Sequence, residues 1–208
     1  MANPFQYIID KAQDIQINRR AIVAQTTTRD QTVRTVSRGG QVWRFDVTVP
    51  DGLAWTDLRP AIEAMDKADR YTPSTIQLNN PGYSNWLSAY QGDATSLTGF
   101  SATVNGGDTI TLNTTPAGLA PGKFSFKAGD LVQIGTTGRV YTVVNTVVYP
   151  NTAVQLNRPI FEAAGTYALT IGPNVSWSVV CVQFPDWKVI RRNQIGWTGT
   201  FKFMESYV

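Results

Sequence analysis

The sequence predicts a mainly β protein of the α+β type, with one main helix and a small β-barrel inserted into a larger β domain. Three observations carry this. Short segments of alternating apolar residues recur between turns rich in Gly, Pro and Asn, and only Asp57 to Ala68 carries a sustained helical stripe. The third is the placing of tryptophan. All six (Trp43, Trp55, Trp86, Trp177, Trp187, Trp197) lie before residue 93 or after residue 172. The eighty residues between hold four acids and four bases and are dominated by Thr, Gly, Asn and Val. That shift predicts one domain built from residues 1–92 and 173–208, interrupted by a second made of residues 93–172.

Phe5, Ile8, Ile9 and Ala12 share a helical face, which allows one short helical turn. From Ile15 to Val36 the pattern is strand-like: Ile15 and Ile17 alternate, Ile22 and Val23 follow Arg19-Arg20, and Val33 and Val36 follow a Thr-rich stretch. Thr26-Thr27-Thr28 suits a β edge or a loop equally. After a turn at Gly39-Gly40, Gln41 to Val49 places Val42, Arg44, Asp46 and Thr48 on one face. Trp43, Phe45, Val47 and Val49 occupy the other, an expected core face. A ligand platform is the alternative role for Trp43.

Pro50-Asp51-Gly52 ends that strand. In the helix that follows, Asp57 is placed to cap, Pro60 to fall in the first turn, and Leu58, Ile62 and Met65 to form a buried stripe. Thr75 to Leu78 is the next strand, and Tyr83, Trp86, Leu87 and Tyr90 form an aromatic cluster leading to Gly92. In the insert, strands are expected at Asp108–Leu112, Phe124–Phe126, Leu131–Ile134, Arg139–Val148, Ala153–Leu156 and Tyr167–Ile171. Several short strands with Gly-bearing turns indicate a small barrel or sandwich. Val175 to Phe184, Val189 to Arg192 and Trp197 to Phe203 complete the larger domain.

Composition narrows function. Eighteen Lys and Arg against fifteen Asp and Glu give a net charge of +3, spread along the chain, which does not point to nucleic acid or membrane. There is no histidine. This removes the commonest general base, the Ser-His-acid and Cys-His pairs and most zinc sites, so no enzyme activity, metal or cofactor is expected. The one cysteine, Cys181, sits in a strand-like run and reads as a small buried hydrophobe. Neither a signal peptide nor a membrane-spanning stretch is evident, and the chain is expected to fold in a reducing cytoplasm.

The constellations that could carry chemistry have simpler readings. Asp66 and Asp69 fall on the solvated face of the helix. Asp108 and Asp130 stand beside Gly in turns, where Asp bonds its own backbone. Gly135-Thr136-Thr137-Gly138 joins two strands and is a hairpin loop, because a phosphate loop would lead into a helix. Arg19-Arg20 and Arg191-Arg192 are adjacent pairs whose members should point to opposite faces of a strand. Trp43 and Trp177 share apolar faces and read as core. Trp187 follows Pro185-Asp186, and Trp197 follows Gly196 near Arg191-Arg192. Those four residues, Trp187, Trp197, Arg191 and Arg192, form the candidate subunit interface.

Taken together, the segment Gly39-Gly40-Gln41-Val42-Trp43-Arg44-Phe45-Asp46-Val47, its helix Asp57 to Ala68, and the strand Trp197-Thr198-Gly199-Thr200-Phe201-Lys202-Phe203 resemble the distal tail proteins of long-tailed bacteriophages. The insert motif Phe126-Lys127-Ala128-Gly129-Asp130-Leu131-Val132-Gln133-Ile134 adds to the likeness. The resemblance follows the order of elements over nearly the whole chain, residues 1 to 35 least. It implies a tail-tube-like domain interrupted by a barrel of the oligonucleotide/oligosaccharide-binding (OB) type. A related tube-initiating baseplate protein of a contractile tail is the alternative.

The implied function is a structural, hexameric ring subunit in the baseplate hub of the virion tail. Its implied partners are further copies of itself, the tail tube protein, and hub, fibre or receptor-binding proteins, with genomic DNA passing through the lumen and no membrane insertion. A carbohydrate-binding module is the second hypothesis, with Tyr141 and Tyr149 as candidate glycan contacts. The third is a wall or capsule hydrolase using two carboxylates, for which Asp108 and Asp130 are the residues to replace.

Overall fold

The computed structural model describes residues 3–21, 23–27, 29–37, 41–68, 71–81, 84–115 and 119–206. Along the chain its elements are α1 (Pro4–Asp10), β1 (Asp14–Asn18), β2 (Val23–Thr27), β3 (Val33–Ser37), β4 (Arg44–Thr48), β5 (Leu53–Ala54), α2 (Trp55–Ala68), β6 (Ser74–Ile76) and α3 (Asn85–Ser88). There follow β7 (Ser101–Val104), β8 (Thr109–Thr114), β9 (Phe124–Phe126), β10 (Leu131–Ile134), β11 (Val140–Thr142), β12 (Val147–Val148), β13 (Ala153–Gln155) and β14 (Gly165–Ile171). The last four are β15 (Trp177–Gln183), β16 (Trp187–Arg191), β17 (Gln194–Trp197) and β18 (Phe201–Glu205). The protein is mainly β, of the α+β type, as its sequence predicts. The expected turn at Gly39-Gly40 and the contributions of Ile22, Thr28, Asp69 and Tyr83 lie outside the described residues.

Two compact units emerge, each discontinuous in sequence. One comprises residues 11–73 and 179–206; the other includes residues 3–10 and 74–178. The division therefore falls after Pro73 and after Ser178, where the sequence placed it after residues 92 and 172. Hydrogen bonds give the reason. Ser88 Oγ donates to Leu78 O (2.5 Å), Tyr90 OH to Ser125 O (2.5 Å) and Gln91 N to Asp130 Oδ1 (2.8 Å), which ties residues 78–91 to the barrel.

The unit built from the chain ends centres on an antiparallel sheet in which β1, β4, β18 and β15 are successive neighbours. Register pairs Phe45 with Phe203 and Val47 with Phe201, so all four face one side and are buried. Each such side chain stabilises the fold by about 1.5–3 kcal/mol. Trp43 is buried at the strand entry, where its N–H donates to Glu205 Oε2 (3.1 Å). The Thr-rich stretch left open by sequence is resolved in part: Thr26 and Thr27 are strand residues of the β2–β3 hairpin.

Helix α2 buries Leu58, Ala61, Ile62 and Met65, the predicted stripe with Ala61 added. Its start differs from expectation. It begins at Trp55, so Asp57 lies inside the first turn and Pro60 deeper in the helix. The cap comes instead from Asn193, whose backbone O accepts from Trp55 N (3.1 Å) and whose Oδ1 accepts from Thr56 N (3.2 Å). Those bonds satisfy amides that have no partner within the helix.

In the other unit six strands form one antiparallel sheet in the order β11-β10-β14-β7-β8-β13. Its two outer strands meet at the Val143–Leu156 bridge, supported by Asn157 N to Thr142 O and Val144 N to Gln155 O (both 2.9 Å). The sheet thus curls round a core that includes Phe100, Val104, Ile110, Phe126 and Val154. Six strands take part, against the five of an OB barrel. The predicted strand Arg139–Val148 is divided into β11 and β12, and β7 lies in a Ser-Ala-Thr-Val stretch that carries little apolar signal.

Of the predicted aromatic cluster before Gly92, Tyr83 lies outside the described residues. Trp86 is exposed, while Tyr90 turns edge-on to Phe100 and Phe126 in the barrel core. Helix α1 does form. Asn3 Oδ1 accepts from Phe5 N (3.1 Å), and Phe5, Ile8 and Ile9 are buried.

Two predictions follow from the barrel's polar groups. Asp130 is buried and accepts from both Gln91 N and Lys127 N (each 2.8 Å). Asp130→Ala leaves both amides without that partner, and should lower stability by roughly 2–4 kcal/mol in denaturant titration. Burial raises the Tyr90 phenol to about 12 and raises Tyr141 also, the latter helped by its hydrogen bond to Glu162. A raised folded pKa gives stability that is complete below the ordinary phenol value and lost as pH rises through the folded value. Stability should therefore fall above pH ~10. Absorbance titration should show two tyrosines ionising late, together with unfolding.

Candidate functional site

Strand β16 stands out because apolar residues are exposed along it. It is an outer strand of a three-stranded antiparallel sheet in the order β16-β17-β5, and all five of its residues are exposed. Trp187 is 41% exposed, Val189 70% and Ile190 42%. An outer strand offers unpaired backbone donors and acceptors, and soluble proteins usually blunt such edges with charge or cover them. Here Lys188, Arg191 and Arg192 supply charge beside a run that is otherwise apolar.

The strand is held firmly from beneath. Register places Trp187 opposite Trp197 and Val189 opposite Ile195. Ile195 and Trp197 are buried, and Trp197 lies edge-on to Phe184 (5.7 Å) and Phe201 (4.8 Å). Between them, a Cβ on Gly196 would press on the Asp51 carboxylate and the Ile190 side chain, so either would have to shift. Asp51 Oδ1 accepts from Trp197 N (3.1 Å). The hairpin turns through Asn193 at φ 55°, a left-handed conformation that Asn tolerates better than most residues. Trp187 lies on the same face as Trp197 and leans on Trp55, with ring centroids 4.8 Å apart.

The four predicted interface residues therefore divide. Trp187, Arg191 and Arg192 are exposed on this hairpin, whereas Trp197 belongs to the core. The reason is periodicity: Trp197 continues the inward series of Ile195, and Phe184 and Phe201 enclose it. A glycine before an aromatic looks like a break in sequence, yet here it admits the Asp51 loop.

Of the two predicted glycan contacts, Tyr141 is fully buried. Its hydroxyl donates to Glu162 Oε2 (2.5 Å) and accepts from Phe161 N (3.2 Å), and the Arg158 guanidinium lies over its ring at 4.9 Å. It presents no face to a sugar. Tyr149 is half-buried and its N–H donates to Lys123 O (2.8 Å). Asp108 accepts from Gln155 Nε2 (3.3 Å) and from the Thr109 hydroxyl, and Asp130 is held by its two amides. Among the described residues no three His, Cys, Asp or Glu side chains gather in a way that could hold a metal ion. Cys181 is buried, as its strand context predicts.

A second feature was not visible in the sequence. A groove of ≈ 640 Å³ is lined by Gln16, Ile17, Asn18, Arg19, Arg20, Arg44, Asp46 and Lys202. Arg19 and Arg20 follow the end of β1, so strand alternation does not separate them, and both border the groove. Arg44 and Lys202 arrive from segments far apart in sequence. Their alternation against buried neighbours was the only available signal.

No protein-family model and no curated protein matches the chain.

Trp187→Ala should cost less than Trp197→Ala, about 1–3 kcal/mol, because the side chain is partly exposed but stacks on Trp55. Trp197→Ala should cost roughly 3–5 kcal/mol as a large-to-small change in a core. Urea titration of the two variants distinguishes them.

Proposed function

We propose that the protein is a structural assembly subunit, a ring-forming component of a phage tail tip or baseplate hub. In this reading the ring is a homo-hexamer that continues the tail tube, takes up fibre or receptor-binding proteins, and leaves a lumen for DNA. The observation that carries it is β16, an outer strand with Trp187, Val189 and Ile190 exposed above a tightly packed hairpin. Aromatic residues at the centre of an apolar patch, with arginine at its rim, are the usual composition of a protein–protein contact. A contact between unlike surfaces of identical subunits closes into a ring when its rotation permits. The order of elements that resembles the distal tail proteins gives the kind of assembly.

The rigidity of the hairpin favours the same reading. Trp197, Gly196 and Asp51 anchor the hairpin, so β16 loses little freedom on contact and the ordering cost of association is small.

Electron microscopy of the purified protein, together with mass spectrometry of purified virions, tests the proposal. Six-fold rings, or the protein within tails, are the expected result. A monomer at high concentration that is also absent from virions would overturn it. Trp187→Ala should reduce ring formation while leaving the folded fraction intact.

A further inference from the structure

The groove beside β1 has a different chemistry from the β16 surface, and it does not depend on the ring proposal. Its floor is the polar face of the sheet. Register sets Gln16 opposite Asp46, Asn18 opposite Arg44, and Asp46 opposite Lys202, so these five side chains emerge on one face. Arg19 and Arg20 add two cations at the end of β1. Among the described residues, Arg20, Arg44 and Lys202 thus bring cations to a groove whose lining includes one carboxylate, Asp46. The Arg19 guanidinium stands over the Trp43 ring at 5.3 Å, and burial lowers its pKa from the ordinary value. It nevertheless stays charged, as arginine does in proteins.

Strand β1 is also the outer strand of its sheet among the described residues. The groove therefore offers two things together: a cationic face and a strand edge with main-chain donors and acceptors. We propose that this groove binds an extended acidic segment of a partner protein, which adds as a strand to the β1 edge and sets its carboxylates against Arg20 and Arg44. Strand addition gives affinity through main-chain hydrogen bonds and specificity through alternate side chains. Side chains of an added strand fall on one face at every second residue. The favoured segment therefore carries acids at alternating positions, aligned with Gln16 and Asn18.

A phosphate backbone fits less well. It cannot use the strand edge, and Asp46 in the middle of the floor repels phosphate. A peptide can place an apolar or amide side chain against Asp46 and its acids on either side.

The test uses the full chain and a peptide of alternating Glu and Val, measured by calorimetry at low and physiological salt. Saturable binding that weakens with salt is expected. Arg20→Glu and Arg44→Glu should each weaken it by roughly tenfold or more, since both place like charges together. The same peptide with an N-methylated backbone should fail to bind, and hydrogen exchange of the β1 amides should slow only with the unmodified peptide. If a charge-reversed variant does not fold, Arg20→Gln and Arg44→Gln give the same direction with a smaller loss. Absence of binding at millimolar peptide, binding indifferent to both substitutions, or equal binding of the N-methylated peptide would overturn the proposal. Tighter binding of oligothymidylate than of the peptide would overturn it too, by making the groove a phosphate site.

Discussion

The pairing of β4 with β18 is the interaction on which the end-built unit depends. It joins residues 44–47 to residues 201–204, and its register decides both faces of the sheet at once. Phe45, Val47, Phe201 and Phe203 go inward, while Arg44, Asp46 and Lys202 go outward. A slip of one residue would send aromatics to solvent and charges to the core, so the buried face enforces the register. The basic groove is therefore a consequence of core packing as much as a feature in its own right. Closing so long a loop costs entropy, but that cost grows only slowly with length.

The two strand edges of this unit are treated differently. At β1 the neighbouring side chains are cationic and amide, which suits an anionic, directional contact. At β16 they are mainly apolar, which suits burial against another protein surface. Both edges are backed by ordered structure: the Arg19–Trp43 stack and the β4 ladder behind one, the Asp51–Gly196–Trp197 arrangement behind the other. Docking at both edges, as proposed, would let one unit hold unlike neighbours together.

The sequence made the local patterns legible and left the distant ones hidden. The α2 stripe and the alternation of Gln41 to Val49 depend on neighbours along the chain, and both hold in the structure. The α2 cap could not be read, because Asn193 lies far away in sequence and Asp57 offered a plausible local substitute. The burial of Tyr141 is hidden from the sequence for a related reason. All three residues of β11 are buried, so a strand that alternates on paper is covered on both sides, and Glu162 supplies the partner its hydroxyl needs. The same limit applied to Trp197, whose surroundings at Phe184 and Phe201 follow from folding of the terminal segment. Exposure of Trp187 was readable because Pro185-Asp186 breaks the strand before it. The groove cations were visible one by one, but only the register brings Arg44 and Lys202 to Arg19 and Arg20.

The central claim is that β16 is an assembly contact, and hydrogen exchange tests it most directly. Exchange of the β16 amides should be compared between the isolated protein and the protein in assembled particles. The account predicts marked slowing from Trp187 to Arg191 on assembly, with the amides of β4 and β18 unchanged because their ladder is already closed. Assembled particles in which β16 exchanges as fast as it does in the isolated chain would contradict it.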